Sequence, residues 1–81
     1  MKLEVLKTCR KAIGAKQTAK AVTRGETSFV YLGADSEDKI AAPLMDLCKE
    51  HEVNVDRNHT MEELGKACRI KVKAAAVAVL D

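Results

Sequence analysis

Helix-like and strand-like stretches alternate along this 81-residue chain, and that alternation limits its fold more than any other feature. "SFVYLGA", residues 28 to 34, is rich in β-branched and aromatic residues between polar clusters, which predicts a buried strand with Phe29 and Tyr31 on one side. "EVNVD", residues 52 to 56, alternates as a strand does. "RIKVK" leads into the apolar strand "AAAVAVL", residues 74 to 80, a run far too short to cross a bilayer.

Helical patterns lie between these stretches. Leu3, Leu6 and Cys9, with Val5 beside them, predict a first helix over residues 2–12, with a short extended piece at Ala12 to Gly14. A second runs from Ala15 to Arg24 and stops at Gly25, in the C′ position that left-handed backbone favours. Its apolar face is Ala15, Ala19 and Val22; Lys16, Lys20 and Arg24 lie opposite. "DSEDKIAAP" reads as a loop, and Pro43 suits the first turn of a helix burying Leu44, Leu47, Cys48 and, at its end, His51. In "TMEE", residues 60 to 63, Thr60 and Glu63 form a capping box that opens a helix running to about Cys68. The alternation predicts a layered α/β domain, a sheet of about four strands with helices on both faces. Ligands of such sheets bind where loops converge at strand ends.

The length predicts one domain over residues 1–81, burying about 60 to 65% of its unfolded surface. Cys9, Cys48 and Cys68 are an odd number without a close pair, so no disulfide framework is encoded and a reducing cytoplasm is expected. The N-terminus has no apolar stretch of signal-peptide type, so neither export nor a membrane partner is expected.

The net charge of +2 hides a segregation. Residues 1–25 hold seven Lys/Arg against Glu4, residues 26–65 hold three against ten acids, and residues 66–81 hold four against Asp81. Both ends are basic and the middle is acidic. If folding joins the ends, one face becomes cationic, as a polyanion binder requires. Charge alone does not choose between that and chance segregation on a solvated surface.

Catalysis and metal binding find little support. Cys48 and His51 lie three apart on one predicted helix, but no carboxylate or oxyanion loop completes a site, and the expectation is that the chain is not an enzyme. Cys48, His51 and Cys68 lack the paired short spacings of structural zinc sites. The four glycines make neither a phosphate loop nor a dinucleotide fingerprint, and Asp35, Glu37 and Asp38 have no cation-ligand spacing. No metal or cofactor is expected.

Nucleic-acid binding remains, and since the only aromatic residues, Phe29 and Tyr31, lie in a strand expected to be buried, readout by base stacking is not expected. A structured target read through phosphates and base edges is left. The free N–H groups after Gly14 favour an anion, and Lys16, Lys20 and Arg24 extend that field. Lysine can donate to guanine O6 or N7, and the Gln17 amide offers both a donor and an acceptor. The same residues also fit an ordinary solvated helix face.

"IGAKQTAKAVTRG", "LGAD", Pro43 followed by "LMDLC", and "HTMEELGKACRIKVKAAAVAVL" together resemble the ribosomal-protein-L-seven-Ae family, most closely its small bacterial members. The resemblance runs from residue 13 onward without large gaps. It implies a three-layer αβα sandwich with a mixed sheet of about four short strands, and binding to the kink-turn, a sharply bent RNA duplex whose tandem sheared G·A pairs expose guanine edges. It implies contacts from Gly14, Lys16, Gln17, Lys20 and Arg24, and from Arg69, Ile70, Lys71 and Val72 in the loop before the final strand. The archaeal pattern has Asn and Glu where this chain has Lys16 and Gln17, and family patterns commonly have glycine where Arg69 and Lys73 stand. Arg69 in a left-handed turn would carry strain. The two basic segments would then form one surface, on a cytoplasmic monomer that stabilises kinked ribosomal or regulatory RNA, with the ribosome as a further partner and no DNA partner expected. The alternative is a ribosome-associated assembly or protein-interaction module that docks a basic partner on its acidic middle.

Overall fold

The computed structural model describes residues 3–81. A 3-10 turn at Leu3–Lys7 is followed by β1 (Lys11–Ile13), α1 (Ala15–Thr23), β2 (Thr27–Leu32), α2 (Asp38–Glu50), β3 (Asn54–Asp56), α3 (Met61–Ala67) and β4 (Ala76–Leu80). The strands form one mixed sheet in the order β1-β4-β2-β3. β4 runs antiparallel to both β1 and β2, while β2 and β3 are parallel. This is the expected three-layer αβα sandwich.

Period-two alternation along the strands supplies both faces. Tyr31 and Val77, with Phe29, Ile13 and Val79 beside them, pack on Leu6 of the N-terminal turn and on Leu64, Ala67 and Cys68 of α3. Val30 and Ala78 face the other way, onto Ala21 and Val22 of α1 and Cys48 of α2. Leu32 and Ala76 continue that second face under Ala41 and Leu44. Small alanines at 76 and 78 thus face α1 and α2, while Tyr31 and Val77 face α3. Phe29 and Tyr31 do share a side, with ring centroids 5.1 Å apart in an edge-to-face pair.

Expectations on three predicted helices need correction. The segment expected to be one helix over residues 2–12 is a short 3-10 turn and then a strand, apart from Lys2, which lies outside the described residues. Leu3, Leu6 and Cys9 are spaced by three throughout, the period of a 3-10 helix, and all pack on one cluster. α2 begins at Asp38, so Pro43 sits inside the helix and most of the expected "DSEDKIAAP" loop is helical. Pro43 is exposed, so the Lys39 carbonyl that loses its donor there can be solvated. His51 is the exposed C-cap of α2, not part of its buried face. On α1, Ala15 and Ala19 are half-buried, and the deepest contacts come from Thr18, Ala21 and Val22.

All three α-helices close with the same paired backbone bonds, the Schellman arrangement. The N–H groups of Gly25 and Glu26 reach the carbonyls of Val22 and Ala21; those of Glu52 and Val53 reach Lys49 and Cys48; those of Arg69 and Ile70 reach Lys66 and Gly65. The residue at each left-handed position is Gly25 (φ 70°), Glu52 (φ 58°) and Arg69 (φ 60°). Only the first is a glycine.

Candidate nucleic-acid interface

Three consecutive residues ahead of and opening β4 tie together the starts of all three α-helices. The Ala76 carbonyl accepts the Gly14 N–H (2.8 Å) at the start of α1. The Ala75 carbonyl accepts the Gly33 N–H (2.8 Å) and the Ser36 hydroxyl (3.1 Å), just before α2. The Ala74 N–H donates to the carbonyl of Met61 (3.1 Å), the first residue of α3. Gly14 and the segment carrying Arg69, Ile70, Lys71 and Val72 thus share one end of the sheet, and Ile13 and Ile70 pack on the same core cluster.

At that end α1 opens without a side-chain cap. Gly14 has φ 102° and ψ 155°, a conformation that glycine adopts without steric cost, and nothing crowds its position. The first N–H groups of an α-helix have no partner within it, and no acidic residue occupies this first turn. Lys16, Gln17 and Lys20 are exposed beside it. Arg24 is the C-cap ten residues on, roughly 15 Å along the axis from Gly14, so it flanks the site.

The second segment is held by α3. A β-carbon on Gly65 would overlap the Val72 carbonyl, so the glycine lets the loop lie directly on the helix. Ile70 is half-buried at the edge of the core cluster, while Val72 is 69% exposed between Lys71 and Lys73. Arg69 adopts the left-handed conformation that glycine would take there. Among the described residues, no ion pair engages Lys16, Lys20, Arg24, Arg69, Lys71 or Lys73.

The acidic middle is differently employed. Asp35 accepts the Met61 N–H (2.8 Å), Glu63 accepts the Thr60 N–H (2.9 Å), and Glu37 and Glu62 pair with Lys39 and Lys66. The Thr60 backbone and hydroxyl hold the Glu63 carboxyl below its ordinary range. Sequence reasoning missed Arg57, whose guanidinium reaches from the end of β3 to the carbonyls of Gly33 (3.2 Å) and Ala34 (3.4 Å). Nothing in its sequence neighbourhood announces those partners.

The other candidate chemistry is dispersed. Cys48 and Cys68 belong to clusters on opposite faces of the sheet, and burial pushes both thiols up, away from the reactive thiolate. Among the described residues, no helix is long and apolar enough to cross a membrane.

The three-layer fold is what the chain shares with known structures. The chain belongs to the ribosomal protein L7Ae/L30e/S12e/Gadd45 family, whose profile matches residues 2–81. The RNA-binding protein YbxF of Geobacillus stearothermophilus is 39% identical over 77 residues, covering 95% of this chain and 94% of its own. An RNA-binding protein of Geobacillus sp. (strain WCH70) is 38% identical over the same shares of both chains. Among solved structures, a protein of unknown function from Bacillus halodurans C superposes with a TM-score of 0.89 at 24% identity, over 98% of this chain and 83% of that one. The Giardia lamblia 15.5kD RNA-binding protein superposes with a TM-score of 0.87 at 24% identity, over 98% and 70%.

Proposed function

We propose that this protein binds structured RNA and stabilises its kink-turns, as a cytoplasmic monomeric domain without catalysis of its own. The observation that carries the reading is the junction at residues 74–76, which sets the uncapped start of α1 and the exposed, unpaired cations of the 69–73 loop at one end of the sheet. The relatives that carry RNA-binding names support the ligand class. Gln17 and Lys16 would read the guanine edges of sheared G·A pairs, with Gly14 giving close approach. Lys20, Arg24, Arg69 and Lys71 would meet phosphates, and Ile70 and Val72 would pack on the unstacked nucleotide. An undistorted A-form major groove is too narrow for this docking, so binding selects the bent conformer.

A protein-docking role for the acidic middle has less behind it, because Asp35, Glu37, Glu62 and Glu63 already hold internal partners. The deciding experiment is a gel-shift comparison of a kink-turn duplex with the same duplex carrying Watson–Crick pairs in place of the G·A pairs. The first is expected to bind at least about tenfold tighter, the scale of losing one or two base-edge contacts. Equal binding, or undiminished binding by a folded Gln17→Ala/Lys20→Ala variant, would overturn the proposal.

A further inference from the structure

Asp35 and Ser36 immediately precede Glu37, the N-cap of α2, and both have side chains suited to capping a helix. Neither caps α2, which opens with no side-chain cap hydrogen bond among the described residues. Both are committed across the molecule. The Ser36 hydroxyl, in a residue only 8% exposed, donates to the Ala75 carbonyl (3.1 Å). Asp35 accepts the Met61 N–H (2.8 Å), and the carbonyl of Met61 in turn accepts the Ala74 N–H (3.1 Å). Adjacent side chains thus help to hold, directly beside the Gly33 N–H and through the single residue Met61, the adjacent residues where the 69–73 loop becomes β4.

The other end of the loop is fixed by the bonds from Arg69 and Ile70 to α3. Lys71, Val72 and Lys73, between the two anchors, are exposed and make no hydrogen bond among the described residues. Their direction therefore depends on both ends being held. A loop released at residues 74 and 75 would keep its cations but lose their placement opposite the start of α1, and the cost of ordering it would fall on binding.

We propose that Asp35 and Ser36 are positioning residues: they aim the 69–73 loop at the sheet end where α1 opens, and affinity for folded RNA depends on them although the loop makes the contacts. The binding consequence rests on the RNA reading above; the ordering of the loop does not.

The test compares the intact protein with Asp35→Ala, Asp35→Asn and Ser36→Ala, each well below its melting temperature. Two quantities are read: amide hydrogen exchange at Ile70, Ala74, Val77 and Ala78, and affinity for the kink-turn duplex. Asp35→Asn keeps an acceptor for the Met61 N–H while removing the charge. The expected pattern is exchange up to about tenfold faster at Ala74 in both alanine variants, with Val77 and Ala78 unchanged, and kink-turn affinity weaker by up to about tenfold, the upper end of what one lost hydrogen bond contributes. Asp35→Asn should match the parent within about twofold in both. Unchanged exchange at Ala74, or equal acceleration at Val77 and Ala78, overturns the positioning role. Faster exchange with undiminished affinity overturns its link to binding. If the parent itself fails to distinguish kink-turn from Watson–Crick duplex, the RNA reading fails and the exchange pattern alone decides the tie.

Discussion

Gly65 lies so close to the Val72 carbonyl that the two could not keep their positions if the glycine carried a β-carbon. A helical residue on α3 thereby sets the height of the loop that the proposed interface uses. An alanine at position 65 would favour the helix by about 1 kcal/mol on propensity alone. The contact should reverse that sign. Gly65→Ala is expected to lower stability by about 2 kcal/mol, or the melting temperature by roughly 10 °C, because either the loop or the helix must shift. Thermal unfolding followed by circular dichroism checks it; an unchanged or raised melting temperature would show that the loop yields freely.

The left-handed residues at two helix ends make a paired prediction. Glu52 (φ 58°) and Arg69 (φ 60°) occupy positions that glycine fills at lower cost, and Glu52→Gly should stabilise the protein by about 0.5–1 kcal/mol after the entropy of the unfolded glycine is counted. A higher urea midpoint at constant slope is the expected result. Arg69→Gly should give similar relief but remove a cation from the interface. Its plot of log affinity for the kink-turn duplex against log salt should be shallower by about 0.7–0.9, the value of one phosphate contact, while that of Glu52→Gly stays parallel to the parent.

Thr18 is fully buried in α1, and its hydroxyl has no hydrogen-bond partner among the described residues. Valine has nearly the same shape without the unsatisfied group. Thr18→Val should raise stability by about 0.5–1 kcal/mol, measured by denaturant titration. A loss of similar size would mean that the hydroxyl has a partner when the protein is in solution.

Acid should act on α3 through its cap. Hydrogen bonds from the Thr60 backbone and side chain, with a smaller contribution from His59, hold the Glu63 carboxyl below its ordinary value of 4.5. A carboxyl whose folded value is depressed contributes stability that is fully present above the unfolded value and disappears as pH falls through the folded one. The advantage of the parent over Glu63→Gln should therefore be present above about 4.5 and disappear as pH falls further, through the depressed folded value. Melting temperatures of both proteins across that range are the measurement, and a pH-independent gap would assign the effect to the shape of the side chain.

The features legible in the sequence were those whose cause is local. Gly25 closes α1 and "TMEE" opens α3 because caps depend on residues a turn apart, and "SFVYL" reads as strand because β-branched and aromatic residues cluster there. Pro43 misled because its usual place is the first turn, whereas the acidic Asp38 and the spacing of Ala41, Leu44 and Cys48 mark the earlier start. Gly14, Lys16, Gln17 and Lys20 could be singled out from charge and helix-start chemistry. Their connection to residues 69–73 could not be read from local pattern, since it passes through backbone bonds to Ala74, Ala75 and Ala76, whose side chains reveal nothing of those partners.

β4 follows every other element in the chain, yet it lies between β1 and β2 in the sheet. Until β4 is in place, β1 and β2 lack the neighbour that joins them. Closure of the sheet therefore depends on β4, and neither the link between the two earlier strands nor the junction of the three helix starts can exist before that strand is seated.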